Sequence, residues 1–294
     1  MVEFIISILV QGFVYGILAL GVYITYKILD FPDLTVDGSF PLGAAITALL
    51  ITKGVNPYLT LPIAFLAGGA AGIFTGFIHV KCRVRDLLSG IIMMTALWTA
   101  NLRIAGTANV PIFSQETIFK NKWLSGILPE TVLPYSTLII VIVLALICKV
   151  LLDLYLKTKS GYLLRAVGDN DKLVTSLAKD QGNVKILGLA IANGLVALAG
   201  SVFCQEQRVF EISMGTGAIV IGLASVIIGT SLLKKIRFIK TTSAVLVGSV
   251  IYKLCVAAAL KFVGPNDIKF ITAALFLVIL IISMDRRKKV KRDA

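Results

Sequence analysis

Histidine occurs once in this chain and cysteine four times, and acids are outnumbered by bases, 16 to 29. The lone His79 stands at the end of an apolar run beside basic residues, so no zinc-ligand pattern can be built around it. Cys82, Cys148, Cys204 and Cys255 have no paired short spacing. That excludes a disulfide framework and a cysteine metal site, and leaves the four as small apolar packers. No GxxxxGK[ST] phosphate loop occurs; GTSLLKK at 229–235 has the wrong spacing and closes an apolar run. HExxH and GxSxG are absent as well. The chain is therefore expected to be no enzyme in itself and to carry no cofactor or metal of its own.

Charge is scarce overall, at 15% of residues against 57% hydrophobic, and the mean hydropathy is +0.91. A bilayer core about 30 Å thick needs roughly 20 apolar residues per helical span, and this sequence supplies such runs repeatedly. Barrel strands would alternate polar and apolar residues, so helices are expected instead. Candidate spans lie at 4–26, 38–52, 58–80, 87–105, 132–156, 184–203, 215–233, 239–260 and 267–284. The first has no basic leader and is too long for a signal-peptide core, so it is read as a retained span. The expected fold is an all-α polytopic membrane bundle of eight or nine helices, forming one domain over 1–294.

The net charge of +13 raises the question of nucleic acid, and its placement answers it. Lys81, Arg83 and Arg85, then Lys157 to Lys185, Lys234 to Lys240 and Arg286 to Arg292 each sit at the end of an apolar run, as cytoplasmic loops do under the positive-inside rule. No basic domain with base-stacking aromatics accompanies them, so no nucleic-acid partner is expected. With the tail RRKKVKR inside, all four clusters fall on one side, and the C-terminus is cytoplasmic. Nine spans place the N-terminus outside; eight, with a broken or re-entrant second run, place it inside.

Small residues recur at helical spacing, Gly68, Gly72 and Gly76 in the third run and Gly188, Ala192 and Gly200 in the sixth. They predict close helix packing where lipid supplies no hydrophobic drive to associate, with exposed backbone along a path as the alternative. The segment 107–130, with Trp123 among polar residues, reads as an external cap; a docking surface and a plain surface loop both fit it. From Asn170, DKLVTSLAKD with Gly182 beyond it has the pattern of a short amphipathic helix on the basic side. A helix lying among lipid headgroups would share that pattern.

The most unusual stretch is DFPDLTVDGSFPLG, residues 30–43, three acids and two prolines between apolar runs. Acids at this depth usually face a bundle interior or a watery cavity. With Gly38 and Pro41 following Asp33 and Asp37, the second helix reads as broken, exposing helix-terminal backbone groups to a solute or a path. The simpler reading is a turn in which Asp37 or Ser39 caps the next helix.

DFPDLTVDGSFPLGAAI, RAVGDNDKLVTSLAKDQG and MGTGAIVIGLASVIIGTSL together resemble the permeases of bacterial ABC importers of the branched-chain amino acid and ribose type, over nearly the whole chain. LTVDGSF is most similar to a poorly characterised group whose partner lipoproteins resemble binding proteins for aromatic amino acids. The resemblance implies a permease in the bacterial plasma membrane, paired with a second copy or a close relative around a central path. Two separate ATPase subunits, which bind ATP and Mg, would sit beneath, and an external solute-binding lipoprotein would deliver an amino acid, aromatic first and branched-chain second. It further implies that Arg165, Gly168, Asp169, Asp171, Lys172, Leu173, Ser176 and Leu177 belong to a coupling segment within 160–182. Asp33, Thr35, Asp37, Gly38, Ser39, Glu206 and Met214 would flank the path. The family is built from two related halves, and DGSFPLGAAITALL and GTGAIVIGLASVII share a small-and-apolar grain that sets the acidic break opposite 205–217. Rival readings are an ion-coupled secondary transporter with Asp37 as its cation site, and a membrane scaffold.

Overall fold

A computed structural model describes residues 2–121, 135–169, 181–232, 240–260 and 270–281. The helices are α1 (Val2–Val22), α2 (Val36–Thr52), α3 (Pro57–Val80), α4 (Asp86–Ala105), α5 (Ser136–Tyr155), α6 (Lys159–Asp169), α7 (Gln181–Gln207), α8 (Ala218–Leu232) and α9 (Thr241–Leu260), with α10 at Phe270–Ile281. Among the described residues, seven helical segments are long and apolar enough to cross a membrane, and Val36–Thr52 and Phe270–Ile281 are shorter apolar helices. The expected all-helical bundle is the one observed.

Helix ends follow local chemistry. Asn56 accepts the Tyr58 N–H at 3.0 Å, and Pro57 follows as the first residue of α3, a position where a missing N–H costs nothing. Gly106, at φ +79°, closes α4 with its N–H on the Leu102 carbonyl, as a left-handed C-terminal residue does. The far end of α1 instead widens into a π-turn over Tyr23–Ile28. There Leu29 N–H reaches Ile24 O at 2.9 Å, and Asp30 at φ +52° turns the chain away.

α7 is the spine of the bundle, and small residues let its neighbours approach. A Cβ on Gly72 would lie 2.2 Å from the Leu189 carbonyl oxygen, one on Gly68 2.3 Å from that of Asn193, and one on Gly200 1.9 Å from that of Phe40. The close-packing reading of the glycine spacing is borne out at these positions. Lipid-facing surfaces lie elsewhere: Leu66 and Phe74 of α3, Ile92 and Trp98 of α4, and Leu151 and Leu154 of α5 are exposed apolar side chains.

Contacts fix the direction of each run. Gly168 presses on Ile28, Gly76 on Ile186 and Gly188 on Leu164, while Asp153 binds both Lys149 (3.0 Å) and Lys240 (3.2 Å). These residues make one end of the bundle, which holds the basic loops. At the other end Val10 and Val14 of α1 pack with Ile118, Phe119, Val141 and Val202. The start of α1 therefore lies opposite the basic loops, the geometry of the nine-run count. The cap segment is tied down at that far end: β1 (Asn109–Pro111) pairs antiparallel with β2 (Val209–Glu211), and the buried Gln205 takes the Ile118 N–H at 2.9 Å while donating to Thr60 Oγ1 at 3.0 Å. Trp123 lies outside the described residues.

The second helix departs from expectation in one respect. Gly38 and Pro41 lie inside a continuous α2, and the irregular stretch is 29–35, ahead of it. Pro41 is the sixth residue of α2, past the first turn, so it removes the bond its N–H would make to the Asp37 carbonyl. Gly215 faces the Asp37 carbonyl that Pro41 leaves without its usual partner, its Cβ position only 2.2 Å from that oxygen.

Candidate functional site at the junction of two short helices

Two units of the same plan meet in the bundle. In the first, α1 ends at the left-handed Asp30, an irregular stretch follows, and α2 begins at Val36. In the second, α7 ends at Arg208, φ +55°, β2 and a 3-10 turn at Ile212–Gly215 follow, and α8 begins at Ala218. α2 runs alongside α7 in the same direction, since Ser39 meets Asn193 and Thr47 meets Ser201 at the same separation of 154 residues. α8 runs the other way, toward the basic end, where Gly229 packs on Ala244. The starts of the two short helices thus meet inside the bundle.

Asp37 holds that meeting point. Its Oδ2 accepts the Gly217 N–H at 2.9 Å and its Oδ1 the Ile219 N–H at 2.8 Å. A carboxylate here satisfies backbone donors that the first turn of α8 leaves unpaired, and its charge complements the positive ends of both helix dipoles. The capping role foreseen for Asp37 exists, but the helix capped belongs to the other half of the chain.

Asp33, fully buried where Asp37 is half-buried, anchors the irregular stretch. One oxygen takes the Thr35 N–H at 2.9 Å and the other the Asn193 Nδ2–H at 2.7 Å. Asn193 Oδ1 in turn accepts the Ser39 hydroxyl at 2.8 Å. Thr35 shares a 2.9 Å hydroxyl contact with Thr75, and the Gly38 carbonyl accepts Asn101 Nδ2–H at 3.1 Å. Every polar residue foreseen in 33–39 is therefore engaged with α3, α4, α7 or α8. Met214 is half-buried between two apolar clusters beside them.

Glu206 is not part of this junction. It sits near the far end of α7, hydrogen-bonded by Gln207, and interacts electrostatically with Lys253 and Tyr15. Of the coupling residues, Arg165, Gly168 and Asp169 lie on α6, whose buried Gly161, Leu164 and Val167 face the bundle while Arg165 and Asp169 are exposed. That helix precedes the one read from Asn170. Asp171, Lys172, Leu173, Ser176 and Leu177 lie outside the described residues.

Asn193, Gln205, Tyr15 and Lys253 were not singled out from sequence. A usable signal existed for two of them: Asn193 in AIANGLVAL and Lys253 in VIYKLCVA interrupt apolar runs, where a polar residue is costly and needs a partner. His79, by contrast, is structural, its Nδ1 2.9 Å from Val84 O and its ring edge-on to Phe31. A surface cavity of about 610 Å³ lies at the far end among Asn56, Tyr58, Gln115, Glu116 and Asn121; it is separate from the junction.

A bundle of membrane-length helices, with two oppositely directed short helices meeting at its centre, defines a polytopic membrane transport protein. The chain belongs to the family described as branched-chain amino acid transport system, permease component, whose pattern matches residues 4–284. It is a permease component of an ABC transport system, as its motifs implied. It is 44% identical to a tyrosine transport system permease protein of Clostridioides difficile, over 94% of this chain and 90% of that one. It is 32% identical to an uncharacterized protein of Rickettsia prowazekii, over 97% and 98% of the two chains. Among solved structures, PsaBC from Streptococcus pneumoniae in complex with Fab shares the fold, with a TM-score of 0.51 at 14% identity over 92% of this chain and 89% of that chain.

Proposed function

We propose that the chain is the membrane subunit of an importer that carries an amino acid, aromatic ones first, inward across the bacterial plasma membrane by alternating access. The observation that carries the substrate class is the 44% identity to a tyrosine transport permease along nearly the whole chain. The LTVDGSF stretch at 34–40 resembles that of a poorly characterised group whose partner lipoproteins resemble binding proteins for aromatic amino acids, and that resemblance points the same way. The mechanism draws support from the Asp37 junction, where one carboxylate joins the two halves of the chain. Helices that meet end to end in a bundle centre can tilt apart as rigid halves once that joint yields.

In this reading two copies line one path, two cytoplasmic ATPase subunits supply ATP hydrolysis, and an external lipoprotein delivers the solute. The basic end, with α6 and the coupling segment to 182, faces the cytoplasm. The chain itself does no chemistry and holds no cofactor. A secondary transporter using Asp37 as a cation site is the rival reading. It is disfavoured because both Asp37 oxygens already accept backbone N–H groups. The test is uptake of labelled tyrosine into proteoliposomes holding the permease, its ATPase and its binding protein. Uptake is expected to require ATP and to survive collapse of ion gradients; uptake that follows an ion gradient without ATP would transfer the chain to the rival class.

A further inference from the structure

We propose that the cluster around Tyr15, in the half of the bundle away from the basic loops, binds an α-amino acid as its zwitterion, with Lys253 taking the carboxylate and Glu206 the ammonium; this rests on the amino-acid reading above. Tyr15 of α1 is the hub. Its ring stacks on Phe40 of α2 at 5.8 Å and 14°, and meets Phe203 of α7 edge-on at 5.6 Å. Phe40 and Phe203 are themselves 5.5 Å apart. Three aromatic rings from three helices thus form one cluster in which Tyr15 and Phe40 are buried and Phe203 is half-buried, so that Phe203 is the ring an aromatic or large aliphatic side chain can reach.

Two opposite charges, Lys253 and Glu206, act on that cluster without a direct ion pair between them among the described residues. Lys253 Nζ stands 3.8 Å from the centroid of the Tyr15 ring, and the one acceptor it reaches among the described residues is Gln11 Oε1, at a long 3.5 Å. An ammonium has three donors, and among the described residues no carboxylate lies within ion-pair distance of this one. Glu206, on α7, interacts electrostatically with Lys253 and with Tyr15 without a direct ion pair to the lysine. The Tyr252 hydroxyl, buried with no hydrogen-bond partner, is the remaining polar group close enough to act on Tyr15.

A lysine within a membrane span is costly unless it is paired or used. A purely structural pair would close into a direct ion pair, as Lys149 and Asp153 do at 3.0 Å. Here cation and anion are held apart on α9 and α7, both half-buried, with Lys253 over the Tyr15 ring. An α-carboxylate completes the donor set of Lys253 through charge-assisted bonds, and the α-ammonium answers Glu206. The side chain then lies against Phe203, the half-buried ring of the cluster.

The test uses the whole transporter in lipid nanodiscs without its binding protein, so that the membrane subunit alone selects. Probes are tyrosine, tyramine, which lacks the carboxylate, and 3-(4-hydroxyphenyl)propionate, which lacks the ammonium. The wild type is expected to bind tyrosine at least about tenfold more tightly than either analogue. Lys253→Met should weaken tyrosine by a similar factor and abolish discrimination against tyramine alone. Glu206→Gln should do the same for the propionate alone, and Lys253→Arg should restore tyrosine binding. Loss of one discrimination with the other kept is a result that misfolding does not produce. Equal tyrosine binding in wild type and both neutral variants, or a wild type that binds all three probes alike, would overturn the site. ATP-driven uptake of tyrosine by those same unaffected variants would leave the import reading standing, whereas absent uptake by the wild type would remove that reading itself.

Discussion

Asp37 at the start of α2 and Gly217 just before α8 are joined by a 2.9 Å hydrogen bond across 180 residues of chain. With the companion bond to Ile219 at 2.8 Å, one carboxylate ties the first half of the protein to the second where both short helices begin.

Removing that carboxylate should loosen the joint more than the fold. Asp37→Ala is expected to cost about 1–2 kcal/mol, the usual worth of a helix N-cap, and to impair uptake while the complex still assembles. Asp37→Asn, which keeps an acceptor, should retain more of both. Thermal unfolding of the purified complex alongside uptake checks this; full uptake in the Ala variant would reduce the junction to a passive turn.

The buried Asp33–Asn193–Ser39 chain predicts non-additivity. Asn193→Ala strands both Asp33 and Ser39, and should destabilise by about 1–3 kcal/mol. Ser39→Ala removes only one bond and should cost less. In a double-mutant cycle between Ser39 and Asn193 the coupling should exceed about 0.5 kcal/mol; an additive pair would show that the 2.8 Å contact is energetically idle.

Two glycines about one turn apart on α3, Gly69 and Gly72, should respond oppositely to one methyl group. A Cβ on Gly72 lies 2.2 Å from a backbone oxygen of α7, whereas one on Gly69 meets only the Ala190 oxygen, at 3.6 Å. Gly72→Ala should therefore cost about 1–3 kcal/mol through overpacking. Gly69→Ala should be neutral or slightly stabilising, since Ala is the better helix former. Melting temperatures of the two variants, compared side by side, decide it.

Coupling to the ATPase should reside at the basic end. Asp171→Lys or Leu177→Glu is expected to leave basal ATP hydrolysis in place while removing its link to uptake. Wild-type uptake in both variants would sink the coupling assignment for this segment.

At Asp153 an interhelical clasp is exposed to the same kind of test. The residue accepts from Thr242 Oγ1 at 2.6 Å and pairs with Lys149 and Lys240, fastening the end of α5 to the start of α9. Asp153→Asn should destabilise the complex modestly, because Lys240 is largely exposed and its pair is screened by water. A loss no larger than that of Lys240→Ala would place the clasp's strength in the lysine pair rather than in Thr242.

The sequence by itself determined what depends on composition along the chain. Apolar runs long enough to cross a bilayer dictate helices because lipid leaves backbone groups no other partner. Clustered bases at their ends set a common side, and small residues at helical spacing marked α3 and α7 as places of close packing. Even the acidic break and the 205–217 stretch were legible as opposing parts, through the faint likeness of the two halves. Tertiary structure alone decided what those acids do. A carboxylate's partner is chosen by whichever donor lies within about 3 Å; one oxygen of Asp33 takes the nearby Thr35 N–H, but its other oxygen and both of Asp37 take donors from residues 160 to 182 positions away. No local pattern encodes such a choice, which is why Asp37 reads in sequence as the cap of its own helix and proves to cap another. The same holds for Lys253 and Tyr15, ordinary interruptions of apolar runs until packing brought α1, α7 and α9 together around them.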